Sequence, residues 1–240
     1  MKKIIPVTIF LVLVLGVLYF INKKGVNIPK VAQPVTTDSP EIQLCFYGEH
    51  KTSRGLYDVA WLKMNLAGTK VTGEFRNLPA ETDSKLGTFQ GVVGPVDKMM
   101  MARTADVWWD SLAEGMRVTE QLKIVFGEGN AAAGFGEMVD RGDGVYVYKD
   151  ASQLTHGLSM TDVACGDLDE RLLVEKYIRE NIKTIVSSQP ALGGTWYATT
   201  IHLNTASRTG TVAYEDGHID GKLTFSYTVQ NGVVTIIKIL

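Results

Sequence analysis

The sequence predicts a mainly β fold with a C-terminal α+β unit: an antiparallel barrel or sandwich of about eight strands, then one helix and a four-stranded meander. Three observations predict it. Residues 42–150 alternate apolar and polar side chains with period two, broken at short intervals by Gly, Asn and Asp. Near residue 167 the period changes to that of a helix. After that helix, Asp216-Gly217 and Asn231-Gly232 separate apolar runs and read as hairpin turns.

The chain opens with an apolar run, Ile4 to Ile21, of 18 residues without a charge. As a helix it would extend about 27 Å, close to the hydrocarbon thickness of a bilayer. Bulky Leu18, Tyr19, Phe20 and Ile21 end it, followed by Asn22, Lys23 and Lys24, and no A-x-A cleavage pattern follows. Residues 1–24 therefore read as an uncleaved transmembrane anchor, giving a single-pass protein whose partner is the membrane. Lysines flank the run on both sides, so the terminal amine tips the positive-inside rule toward a cytoplasmic N-terminus and an extracytoplasmic C-terminal region. Residues 25–41 hold Pro29, Pro34 and Pro40 without periodicity and read as a stalk.

Residues 42–166 form the expected barrel-like domain. "IQLCFYGE", "YDVAWLKMNL", "AGTKVTGEF", "GTFQGVVG", the segment around "ADVWWD", "MRVTEQLKIVF", "AAAGFGEM" and "GVYVYK" are its strands. Consecutive hairpins of this number favour an up-and-down barrel over a sandwich. Phe75, Phe89 and Phe135 sit beside glycines, which mark the bends a small barrel needs. Residues 151–166 read as a connection returning Cys165 toward the first strand. Cys45 and Cys165 are the two cysteines and read as a disulfide made in an oxidising compartment, the alternative being two buried thiols.

Residues 167–240 form the expected small α+β domain. "DLDERLLVEKYIRENIKTIV" carries Leu168, Leu172, Tyr177, Ile178, Ile182 and Ile185 on one stripe, with Asp167 and Glu170 as a capping box. "TWYATTIHL", "TGTVAYE", "HIDGKLTFSYT" and "VVTIIKIL" are the strands. Trp196, Tyr214, Phe225 and Tyr227 are expected to pack toward Ile178, Ile182 and Ile185.

"VEKYIRENIKTI", "LGGTWY" and "TGTVAYEDGHI", together with the anchor, resemble uncharacterised single-pass membrane-anchored proteins of the bacterial envelope, especially those of small-genome candidate lineages. The resemblance covers most of the chain and implies an envelope setting, but no catalytic residue. At the level of architecture, the strand-rich region is similar to lipocalin-like barrels and the tail to cystatin-like or NTF2-like helix-plus-sheet units.

Chemistry is sparse. His50, His156, His202 and His218 are widely spaced and match no metal-ligand pattern, and no cofactor fingerprint or nucleophile elbow is present. Glu114 with Glu120, and Glu81 with Asp83, read as solvated carboxylates. "DRGDG" at 140–144 reads as a turn, and "QGVVG" at 90–94 as a strand end. Lys2, Lys3, Lys23 and Lys24 are four of the 24 basic residues, whereas all 26 acidic ones follow the apolar run. The remainder is net negative, which argues against a nucleic-acid partner. Trp61, Trp108, Trp109, Tyr146 and Tyr148 are the candidate ligand-binding residues, as the lining of a barrel mouth that holds one small apolar molecule. We therefore expect a non-enzymatic, membrane-tethered binding or scaffolding module of the envelope, without cofactor, engaging an envelope protein or such a ligand. The alternative is a small-ligand-binding barrel or a hydrolase with a dispersed active site.

Overall fold

A computed structural model describes residues 40–80 and 82–239. The expected anchor, and all of the expected stalk but Pro40 and Glu41, lie outside them. Among the described residues no helix is long and apolar enough to cross a membrane.

Seven consecutive antiparallel strands build most of a barrel: β1 (Ile42–Lys51), β2 (Tyr57–Ala67), β3 (Lys70–Leu78), β4 (Lys85–Val93), β5 (Arg103–Ala113), β6 (Met116–Gly127) and β7 (Asn130–Phe135). The chain then makes an excursion through β8 (Met138–Asp140), β9 (Val145–Tyr148) and β10 (Thr155–His156) before β11 (Met160–Asp162). β11 pairs with β7 on one side and β1 on the other, so β1 to β7 and β11 close an eight-stranded antiparallel barrel. The eighth strand is thus not "GVYVYK", as its alternation suggests. That segment, β9, pairs in parallel with the N-terminal part of β6, at Thr119 and Glu120, where β7 does not reach. The closing strand lies in the stretch expected to be a bare connection. It is three residues long, too short to show an alternation.

Period two determines the interior. Leu62 and Met64 of β2, Phe75 of β3, Phe89 of β4, Trp109 of β5 and Ile124 of β6 lie in one buried cluster that fills the barrel. The glycines beside the phenylalanines allow the strands to close on one another. A Cβ on Gly73 would sit 2.1 Å from the Lys63 carbonyl oxygen and 2.6 Å from the Phe89 ring, so no larger residue fits without moving the strand.

Helix α1 (Cys165–Ile185) follows, then a 3-10 turn at Ala191–Gly193 and a separate four-stranded sheet: β12 (Tyr197–Asn204), β13 (Thr209–Glu215), β14 (Asp220–Gln230) and β15 (Val233–Ile239). Asn231-Gly232 forms a two-residue turn with both residues at positive φ, as its hairpin signature requires. The Asp216 carboxylate closes the four-residue β13–β14 loop by accepting the His218 and Ile219 amides.

The start of α1 departs from the expected capping box. The helix begins at Cys165 with Ala164 at the N-cap and no side-chain cap, Asp167 lies within the first turn, and Glu170 pairs with Arg208. Tertiary contacts fix this start instead. Cys165 is disulfide-bonded to Cys45 on β1, and the Val163 amide donates to the Cys45 carbonyl at 2.9 Å.

α1 has two working faces. Val174, Ile178, Ile182 and Ile185 pack in one core with Trp196, Phe225 and Tyr227, and the partly buried Tyr214 lies against it. Leu168 packs with Cys45 and Trp61 on the outer wall of the barrel, flanked by Tyr47 and Leu172. One turn further on, at 175 and 179, the same face carries Glu and Arg rather than apolar residues.

Candidate functional site

Among the described residues one buried side-chain cluster fills the middle of the barrel, and an ion pair occupies its polar end. Lys85 Nζ lies 2.8 and 3.0 Å from the two oxygens of Glu120, and Ser111 Oγ donates to Glu120 Oε1 at 2.8 Å. This ion pair sits beside Trp109, with Lys85 Nζ 5.9 Å from the ring centroid.

The five aromatic residues expected at a mouth occupy different surfaces. Trp109 is in the barrel core, while its neighbour Trp108 faces out, 39 % exposed, under the guanidinium of Arg141 at 5.6 Å. Trp61 lies on the opposite side of the wall from the barrel core, beneath α1. Tyr146 is 37 % exposed on β9. Tyr148 bridges the seam where the β6–β7 ladder ends: its hydroxyl donates to the Gly134 carbonyl at 2.8 Å and accepts the Lys123 amide at 3.0 Å. The "DRGDG" segment is a self-contained turn, in which Arg141 pairs with Asp143 and Asp140 accepts the amides of Gly142 and Gly144.

A second location gathers unpaired charge. Between the outer wall of the barrel at β2 and β3, the β3–β4 loop, α1 and β12 lies a cleft of about 470 Å³. Outward-facing Tyr57, Val59, Arg76 and Leu78 form one wall, Glu175 and Arg179 come from α1, and Thr199, Thr200 and Ile201 from β12. A groove of about 350 Å³ shares Leu56, Tyr57, Thr199 and Thr200 with it and runs on past His202 and Lys222.

The electrostatics of this cleft are unusual for a protein surface. Glu175 is 7 % exposed, and no cation among the described residues is in ion-pair contact with it. Burial raises its carboxyl above the usual value, against the opposing pull of Arg76, Arg179 and Arg171. Burial likewise lowers the Arg76 guanidinium, and Glu175 resists that shift. Arg76 Nε is buried without a hydrogen-bond partner among the described residues, a costly arrangement for a charged group. The neighbouring ionisable side chains are engaged. Arg179 donates to the Ala198 carbonyl at 2.9 Å, Arg171 donates to the Leu203 carbonyl and lies 4.1 Å over the Tyr47 ring, and Glu49 accepts from Tyr47 and pairs with His202 at 2.6 Å. Two opposite charges thus face one space without touching.

The raised carboxyl of Glu175 gives a pH signature. The folded state holds the proton more tightly than the unfolded state, so this contribution to stability is complete below the unfolded carboxyl value and lost as pH rises through the folded one. Urea unfolding over a pH series should show that decline in the wild type, and Glu175→Gln should flatten it. Identical slopes for the two proteins would contradict the assignment.

Among the described residues no cluster of three or more His, Cys, Asp or Glu could hold a metal ion. Models of known protein families, curated proteins and solved structures give no match to this chain. Sequence reasoning passed over the cleft because Arg76 and Glu175 are 99 positions apart, on a strand and a helix whose polar residues read as solvated faces. One signal was present: a Glu and an Arg continue the helix stripe begun by Leu168 and Leu172.

Proposed function

We propose that this protein is a non-enzymatic, membrane-tethered binding module of the bacterial envelope, and that its binding place is the cleft between barrel, helix and tail sheet. The observation that carries this reading is the pairing of buried Glu175, in ion-pair contact with no cation among the described residues, with half-buried Arg76, whose Nε is buried and unbonded, both facing a space of ligand size. A module that bound nothing there would gain by pairing or replacing them. The side chains that fill the barrel favour this outer cleft over its interior as the binding place. The uncharged run from Ile4 to Ile21 supports the tether, and the Cys45–Cys165 bond supports an oxidising, extracytoplasmic compartment.

The test is thermal unfolding of the full chain against a panel of small polar molecules, repeated with Thr200→Trp. Thr200 lines both the cleft and its continuing groove, so an indole there occupies the space without touching either core. Compounds that raise the wild-type midpoint by several degrees should leave the variant unmoved. Compounds that stabilise both proteins equally would remove the cleft from consideration.

A further inference from the structure

We propose that the cleft takes a small monoanionic carboxylate with an apolar body, the chemistry of a peptide C-terminus or an acylated amino acid, anchored on the guanidinium of Arg76. This rests on the cleft being the binding place. The anchor follows from the orphaned donor: Arg76 Nε is buried and unbonded among the described residues, and a guanidinium presents its donors as a planar fork that matches a carboxylate. Arg179, in the same lining, bonds the Ala198 carbonyl through one Nη and retains further donors. Charge count sets the valence. With Glu175 ionised, the two arginines leave a single positive charge, which a monocarboxylate neutralises. The apolar part of the ligand follows from Val59, Leu78, Pro79 and Ile201 in the walls.

Glu175 then becomes the discriminator. The groups acting on it are Arg76 from β3, Arg171 and Arg179 from its own helix, and Glu49 from β1, which is itself paired with His202 of β12; Tyr47 of β1 lies within its electrostatic reach. An anion bound beside Glu175 favours its protonated form, so by linkage binding tightens as pH falls, until the ligand's own carboxyl protonates.

The experiment is calorimetric titration of the full chain with N-acetylleucine, its neutral amide and inorganic phosphate, at about pH 7 and about pH 5.5. N-acetylleucine should bind saturably, about tenfold or more tighter than the amide or phosphate, and tighter at the lower pH. Arg76→Gln should weaken it by about tenfold or more and Arg76→Lys by less, whereas Glu175→Gln should tighten it and abolish the pH dependence. Arg76→Gln removes a half-buried cation with an unbonded Nε, so its unfolding midpoint should stay close to that of the wild type; if it fails to fold, Arg76→Lys carries the comparison. Failure of N-acetylleucine to bind, equal binding of the amide, preference for phosphate, or full affinity in Arg76→Gln would each overturn the proposal. The two readings fail separately. An amide whose binding is lost in Thr200→Trp keeps the cleft and overturns the carboxylate, while binding that survives Thr200→Trp overturns the cleft itself.

Discussion

Replacing both Cys45 and Cys165 with alanine should lower the unfolding free energy by about 4 kcal/mol, and the thermal midpoint by roughly 10 °C. The bond spans 120 positions in sequence. Its loss restores to the unfolded chain the entropy of a very long open loop, the term that grows with loop length. It also acts at a junction in the folded state. Cys45 is buried on β1 among Trp61 and Leu168, and Cys165 is the first residue of α1, so the bond pins the helix to the barrel where the apolar contact between them is centred. Without it, the docking of α1 depends on Leu168 and Leu172, the Val163–Cys45 backbone bond, the Lys63–Asp169 ion pair and the polar network of Tyr47, Glu49 and Arg171. Urea unfolding of oxidised wild type against the double variant measures the difference. A loss below about 1 kcal/mol would mean that the unfolded ensemble already keeps the two segments together.

The parts of this fold that were legible in the sequence are those whose local chemistry agrees with their tertiary role. Alternation across Ala60 to Leu66 places Leu62 and Met64 inside, and the same rule sends one of Trp108 and Trp109 in and the other out, Trp109 being the inner one in the structure. Asn231-Gly232 makes the turn its side chains demand. What was hidden is what tertiary contacts impose. The three residues of β11 become a strand only because β7 and β1 offer two free edges on either side of them. Tyr148 carries the alternation of a wall strand but is used to seal a seam. The start of α1 is set by a disulfide and a backbone bond to β1, which overrode a good capping box. The cleft was hidden for a further reason. Its charges become significant only when burial removes their water, and burial of Arg76 on the outside of the barrel depends on a helix whose Glu175 is 99 positions further along the chain.

Trp109→Ala should destabilise the protein by about 3–5 kcal/mol, the largest effect expected of a single substitution in the barrel. The indole is 1 % exposed, packs against the Phe75 ring at 5.1 Å between centroids, and lies opposite Phe89 in the β4–β5 register. Its removal leaves a void where strands closed around glycines cannot move inward: a Cβ on Gly91 of the adjacent strand would already lie 2.1 Å from the Asp106 carbonyl oxygen. It also strips the wall from the Lys85–Glu120 pair, which then faces a cavity instead of a ring. Trp109→Phe separates volume from chemistry. The indole Nε1 is buried with no hydrogen-bond partner among the described residues, so phenylalanine forfeits some packing but also removes an unsatisfied donor, and should cost no more than about 1.5 kcal/mol. Urea unfolding of the three proteins gives both differences. If Trp109→Ala costs as little as Trp109→Phe, the interior has room to collapse and is not the packed core on which the outer-cleft reading depends. If the alanine variant instead unfolds early yet, while folded, keeps the ligand response that Thr200→Trp abolishes, then the barrel acts as the scaffold and the cleft as the site.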